Sequence, residues 1–168
     1  MLPTPTLRLR FREMAESDLD DMTALLSDPE VMRHYPAPQS RKEAEDWITW
    51  NVRNYAEHGF GLWIIELTDG TFIGDCGLTV QDVEGERLVE VGYHVCAAWQ
   101  GRGLATEAAT AVRNAARDAG MPHLVAIIRP ANRPSQRVAQ KLGLRLERRI
   151  VNNGGEDLVF GADLQALP

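Results

Sequence analysis

Cysteine is scarce in this sequence, with Cys76 and Cys96 as its whole complement. Two thiols cannot supply the disulfide framework of a small secreted domain, and too few soft ligands remain for a structural metal site. No metal is expected, and both cysteines read as reduced, packed thiols of a cytoplasmic protein. Positive charge is also in short supply. The 18 Lys and Arg stand against 24 Asp and Glu, a formal net charge of −6. A nucleic-acid partner would normally require a basic face, so none is expected. No window approaches the roughly 20 apolar residues of a membrane span. Met1-Leu-Pro-Thr-Pro5 also lacks the apolar core of a signal peptide, so no membrane association is expected. Neither a Gly-Lys-Ser/Thr phosphate loop nor a three-glycine dinucleotide fingerprint occurs. Internal repeats and low-complexity linkers are missing too.

What remains is an ordinary globular composition. A chain of 168 residues fits one domain, 1–168, and can bury roughly 70% of its unfolded surface. Leu7 to Phe11 alternates as a first strand. Ser17 suits the cap of a helix from Asp18 to Leu26, with Asp20 and Asp21 at its positive end. Ser40 caps a second helix from Lys42 to Glu57, ended by Gly59. Strand-like runs follow at Leu62 to Leu67, Thr71 to Val80 and Arg87 to Cys96. Asp69-Gly70 between the first two marks a hairpin. A long Ala-rich helix, Leu104 to Ala119, stops at Gly120 with Pro122 beyond. Leu124 to Arg129 is a fifth strand, Pro134 to Leu142 a short helix, and Leu144 to Val151 and Leu158 to Ala162 are closing strands. Antiparallel hairpins followed by a β-α-β-α-β tail predict an α+β fold around one mixed sheet.

The most informative stretch joins the apolar run Val89 to Val95 to the helix at Leu104. It turns through Gly101 and Gly103. A helix start leaves main-chain N–H groups without intrahelical partners, and with the helix dipole they favour an anion such as phosphate. Glycine lets the main chain turn tightly and approach that anion, and Arg102 places a cation beside it. The other reading is a plain strand-to-helix turn. With nucleotide fingerprints absent, a diphosphate of another kind is the ligand left standing.

Gln100-Gly-Arg-Gly103-Leu-Ala105 resembles the pyrophosphate-binding signature of the GNAT N-acetyltransferases. The flanking text, Glu90-Val-Gly-Tyr-His-Val95, Ala105-Thr-Glu-Ala108, Asn132-Arg-Pro-Ser135 and Lys141-Leu-Gly143, is similar to the RimJ/RimL branch. The likeness runs from about Leu7 to Leu164. It implies a GNAT-like fold, with a mostly antiparallel twisted sheet whose strands splay beside the long helix. It further implies acetyl-CoA as co-substrate, held by Gln100, Gly101, Arg102, Gly103, Leu104, Ala105 and Thr106. The pantetheine arm would lie along His94 and Val95, and Asn132 and Ser135 would complete the cofactor site. Small residues on the helix (Ala105, Ala108, Ala109, Val112, Ala115 and Ala116) suit its close approach to the sheet.

The resemblance implies direct transfer to a primary amine, a peptide or protein N-terminus or a small molecule. A homodimer is common among such proteins. The amine must first lose a proton. Period-2 alternation puts Glu90, Gly92 and His94 on one face of their strand. Glu90 is the first candidate base, and His94 is its rival because imidazole titrates near neutrality. Each has a structural reading as well, Glu90 in an ion pair and His94 on a main-chain carbonyl. Asn132 can meet pantetheine or cap the helix that follows, and the two roles are compatible. Many superfamily members carry a Tyr seven residues after that Asn as the acid. Ala139 stands there, so Ser135 is the replacement donor to the leaving sulfur. Two further departures are Leu144, where an aromatic is common, and Ala97, where Pro is usual. Glu107 reads as a structural residue, since a carboxylate would repel the diphosphate. Met32, His34, Tyr35, Trp47, Trp50 and Trp63 are candidates for the acceptor pocket. A non-catalytic acyl-CoA-binding or sensing domain is the alternative function.

Overall fold

The computed structural model describes residues 1–152 and 154–167 of the chain. Its strands are β1 (Leu9–Arg12), β2 (Leu62–Leu67), β3 (Phe72–Val83), β4 (Glu86–Val95), β5 (His123–Ile128), β6 (Arg145–Asn152) and β7 (Gly155–Asp163). Four helices join them: α1 (Leu19–Ser27), α2 (Arg41–His58), α3 (Leu104–Asp118) and α4 (Arg133–Lys141). The strands form one sheet in the order β1-β2-β3-β4-β5-β7-β6.

β2 shows why the sheet carries helices on both faces. Leu62 and Ile64 pack with Met22, Leu25 and Leu26 of α1 and Ala44 and Ile48 of α2. The alternate residues Trp63 and Ile65 pack with Leu104, Ala108, Ala109 and Val112 of α3 and Ala139 of α4. Successive side chains point to opposite faces, so a strand covered twice reads as an unbroken apolar run.

Every neighbouring pair of strands is antiparallel except β4 and β5, which are parallel and meet only at Glu90 and Val125. Beyond that pair β4 continues to Val95 while β5 pairs with β7 alone. The sheet therefore forks, which is the splay that the GNAT resemblance implies.

Several boundaries differ from the sequence reading. The first strand begins at Leu9 because Thr6 closes a turn, its hydroxyl accepting from the Leu9 N–H at 2.9 Å. Leu7 is left 92% exposed. Ser17 makes no cap. It lies in a 3-10 turn, Glu16–Asp18, and the buried Asp18 carboxylate is committed to Arg12 at 2.7 Å and to the Ala15 N–H at 2.8 Å. The β3–β4 hairpin runs three residues past Val80 because Glu84 and Gly85 adopt φ of 54° and 84°. Left-handed conformations at both positions are what a two-residue turn needs to match strand twist. The Ser40 cap of α2 forms as a reciprocal box with Glu43, and Gly59 ends the helix at φ 76°.

Candidate active site

At the end of β4 the chain enters a 3-10 turn, Ala97–Trp99, which opens on Ala97 where Pro is usual. The Gln100 side-chain amide donates to the Val95 carbonyl at 3.0 Å and so fixes the exit of the strand. Gly101 and Gly103 follow at φ 74° and 77°, and Gly103 is the N-cap of α3. L-residues avoid this region at a cost of about 1–2 kcal/mol, which explains a glycine at each position. No side chain caps α3. The first helical bond runs from the Glu107 N–H to the Gly103 carbonyl at 3.0 Å, leaving the Leu104, Ala105 and Thr106 amides to an outside acceptor.

These residues line a cavity of about 460 Å³ with Tyr93, His94 and Val95 on one side and Asn132, Ser135 and Val138 on the other. Arg33, Arg137 and Lys141 lie in its wall against a single carboxylate, Glu30, so the charge here opposes that of the whole chain. Arg102 does not join them. Its guanidinium lies over the Trp99 ring, 4.7 Å from the centroid. Glu107 is structural, as expected: it pairs with Arg8 at 2.5 Å, and Arg8 donates to the Arg102 carbonyl at 2.9 Å. The segment just before β1 thus braces the glycine turn from outside.

A second cavity, of about 470 Å³, lies on the other side of the fork. Trp47 and Trp50 of α2 and Glu90, Gly92 and His94 of β4 contribute to its wall. A side chain at Gly92 would meet nothing within 4 Å, so this glycine forms open floor between Glu90 and His94. Acids predominate: Asp82, Glu84, Glu90 and Asp157 face one cation, Arg129, which pairs with Asp157 at 3.2 Å. His34, Tyr35, Tyr93, His94, Asn132, Ser135 and Val138 line both cavities, so the two spaces meet where these residues converge.

Glu90 sits at the root of the fork. Its carboxylate accepts from the Ile127 N–H and from the Thr79 hydroxyl, each at 3.3 Å. Burial pushes this carboxyl up to about 7, with the charge of Asp157 adding to the rise and the hydrogen bonds opposing it. His94 is 7% exposed, and its Nδ1 lies 2.7 Å from Oδ1 of the fully buried Asp75. The same oxygen accepts from the His94 main-chain N–H at 3.0 Å, and Oδ2 accepts from the Trp47 indole at 3.0 Å. The His94 amide is therefore not available to pantetheine. Cys96 donates to Ile73 of β3, so alternation turns the main chain of Tyr93 and Val95 toward the fork instead.

Across the fork, Asn132 caps α4 by accepting from the Ser135 N–H at 3.2 Å. The Ser135 hydroxyl meets the Tyr93 hydroxyl at 2.8 Å, and burial pushes that phenol up to about 12. Among the acceptor candidates, His34, Tyr35, Trp47 and Trp50 line the second cavity. Met32 is 2% exposed within the α1–α2 core and lines neither cavity. Trp63 is fully buried and stacks on Tyr55 in the main core. Leu144 also packs into that core, so the missing aromatic changes packing alone. Sequence reasoning did not find Asp75, Tyr93, Arg137 or Lys141. Arg137 and Lys141 were detectable as an i, i+4 pair on a helix facing the glycine turn.

A forked sheet whose adjoining helix starts with bare amides is the arrangement of an acetyltransferase fold, and comparison with known proteins agrees. Residues 8–145 match the family described as acetyltransferase (GNAT) domain. The chain belongs to the GNAT acetyltransferases and is an acyltransferase enzyme. It is 34% identical over 148 residues to the Bacillus subtilis (strain 168) protein YkkB, covering 86% of each chain. An acetyltransferase structure from Agrobacterium tumefaciens str. C58 superposes with a TM-score of 0.84 at 27% identity, over 96% of this chain and 94% of that one. The ribosomal L7/L12 α-N-protein acetyltransferase RimL, solved in complex with coenzyme A, shares the fold at a TM-score of 0.80 and 17% identity, over 99% of both chains. Among the described residues, no group of three or more His, Cys, Asp and Glu could hold a metal ion, and no helix is long and apolar enough to cross a membrane.

Proposed function

We propose that this acetyltransferase moves the acetyl group of acetyl-CoA directly to a primary amine while both substrates are bound. The observation that carries the reading is the uncapped start of α3, reached through two left-handed glycines and opening into a cavity where cations outnumber acids. Main-chain amides there suit a diphosphate, and Arg137 and Lys141 suit further phosphate charge. The amide-bearing pantetheine arm fits along the main chain of Tyr93 and Val95, with Asn132 opposite.

The acidic second cavity suits a cationic acceptor, the N-terminus of a peptide or a small amine. The ammonium must give up a proton before its nitrogen can attack. Glu90 and His94 are the bases on that face of β4. The hydroxyl pair Tyr93 and Ser135 stands where the two cavities meet, and a phenol that keeps its proton is a hydrogen-bond donor for departing sulfur.

The test is thiol release with acetyl-CoA against a panel of small amines and Ala-, Ser- or Met-starting peptides, alongside calorimetry. Binding of acetyl-CoA with turnover of at least one amine is expected. Binding without turnover of any acceptor would instead support a sensing domain, and no binding would remove the cofactor assignment.

A further inference from the structure

Two groups on one face of β4 could take the acceptor's proton, and their surroundings separate them. Glu90 lines only the acceptor-side cavity, and both its oxygens are engaged at the root of the fork, by Ile127 and Thr79. His94 lines both cavities and stands where they meet. We propose that Asp75 is a positioning residue that holds His94 as the Nδ1-protonated tautomer, leaving Nε2 to take the acceptor's proton at the junction of the two cavities. This inference rests on the acetyl-transfer reading above.

The tautomer follows from the donors around one carboxylate. Two of the three groups on Asp75, the His94 main-chain N–H and the Trp47 indole N–H, can only donate. An ionised carboxylate can only accept, so with Asp75 ionised the third group, Nδ1, donates as well. With Nδ1 protonated, neutral imidazole carries its lone pair on Nε2. That atom has no hydrogen-bond partner among the described residues. Among those residues, only Thr23 Oγ1 and Gln39 Oε1 are buried side-chain polar atoms lacking one, so Nε2 reaches open space.

The ring is also held laterally. Tyr35 lies 5.2 Å away between centroids and Trp47 meets it edge-on at 5.9 Å. Asp75 belongs to β3, where Gly74 must lack a side chain because a Cβ there would fall 1.9 Å from the His94 carbonyl. Close approach of the strands at Gly74 brings the carboxylate under the ring. A fully buried carboxylate is costly unless its hydrogen bonds are complete, and here they are made to the one ring whose orientation decides reactivity.

The proton balance is complete without any further reactant. Nε2 takes one proton from the acceptor ammonium, directly or through one water. The freed nitrogen attacks the thioester carbonyl carbon, the C–N bond forms and the C–S bond breaks, and sulfur leaves with the bonding pair. The thiolate and the second ammonium proton recombine as free thiol and amide, and the imidazolium releases its proton to solvent.

Nitrogen-detected NMR of the histidine-labelled wild-type enzyme reads the tautomer without any activity, with His94 assigned by its loss in His94→Gln. The Nδ1–H form is expected, and a dominant Nε2–H form would overturn the proposal. In kinetics, Asp75→Asn should lower kcat on the order of 100-fold, as loss of an oriented base does. The Kd for acetyl-CoA should stay within about twofold by calorimetry. His94→Gln should cost as much, and the double variant no more than His94→Gln alone, because Asp75 acts through the ring. Asp75→Glu should recover part of the rate. A near-wild-type kcat in His94→Gln, or losses that multiply in the double variant, would also overturn the proposal. Should Asp75→Asn fail to fold, the wild-type tautomer and the His94→Gln rate still decide. Absence of acetyl-CoA binding or of turnover in the wild type would instead refute the acetyl-transfer reading.

Discussion

The two cavities on either side of the fork are of similar size but are made of different material. On the side proposed for the cofactor the wall is main chain: bare amides of α3, two left-handed glycines and the edge of β4, with cations from α4 around them. The side proposed for the acceptor is walled by side chains, with aromatics from α2 and carboxylates from three strands. A main-chain site tolerates most substitutions that preserve φ and ψ, whereas a side-chain site changes with every residue. One fold can thus keep a carrier and exchange acceptors.

If this contrast is right, the largest loss of carrier affinity comes from backbone geometry. Gly103→Val forces a β-branched residue to φ 77° and re-aims the amides that follow. Acetyl-CoA affinity should fall on the order of 100-fold, or about 3 kcal/mol, by calorimetry, while thermal unfolding shows a folded protein. An unchanged Kd would remove the main-chain account.

Next in size is a pH effect at the root of the fork. The Glu90 carboxyl is raised from 4.5 to about 7 in the folded protein, chiefly by burial. Its contribution to stability is therefore complete below the unfolded value and is lost as pH rises through about 7. At about 1.4 kcal/mol per pH unit, and discounted for partial exposure, the loss is on the order of 2 kcal/mol. Glu90→Gln should flatten thermal stability between roughly pH 4.5 and 7 relative to wild type. Parallel curves would mean that this carboxyl ionises freely.

Smaller effects distinguish the two walls. Gly92→Val fills the open floor and should raise the acceptor KM about tenfold while leaving acetyl-CoA affinity alone. Replacing both Arg137 and Lys141 with Ala should do the reverse, weakening acetyl-CoA about fivefold at low salt and less at high salt. A shift of both constants in either variant would blur the division between cavities. Ser135→Ala is the mildest. It removes one partner of the Tyr93 hydroxyl, at about 1 kcal/mol of stability and a few-fold in kcat.

The same contrast explains what could be read from the amino acids alone. Gly101, Gly103 and the Ala-rich start of α3 are contiguous, and local backbone chemistry dictates what they do. The caps at Ser40 and Asn132 and the Asp69-Gly70 hairpin are legible for the same reason, since each involves neighbours in sequence. Asp75 and His94 are 19 residues apart and meet only through the register of β3 with β4. Tyr93 and Ser135 are 42 apart and meet only because the sheet forks. Met32 is a pocket candidate because the resemblance places the acceptor between the first two helices and the later hairpin, yet its side chain completes the core between α1 and α2. Arg102 illustrates a further limit. A cation beside the anion site is chemically reasonable, but the Arg102 guanidinium lies over the Trp99 ring face instead.

Amide NMR of the enzyme titrated with acetyl-CoA reads the start of α3 itself. The N–H signals from Gly101 to Thr106 should move most and move together, to saturation. If those amides stay still while the enzyme is saturated with carrier, the diphosphate lies elsewhere and the proposed site is wrong.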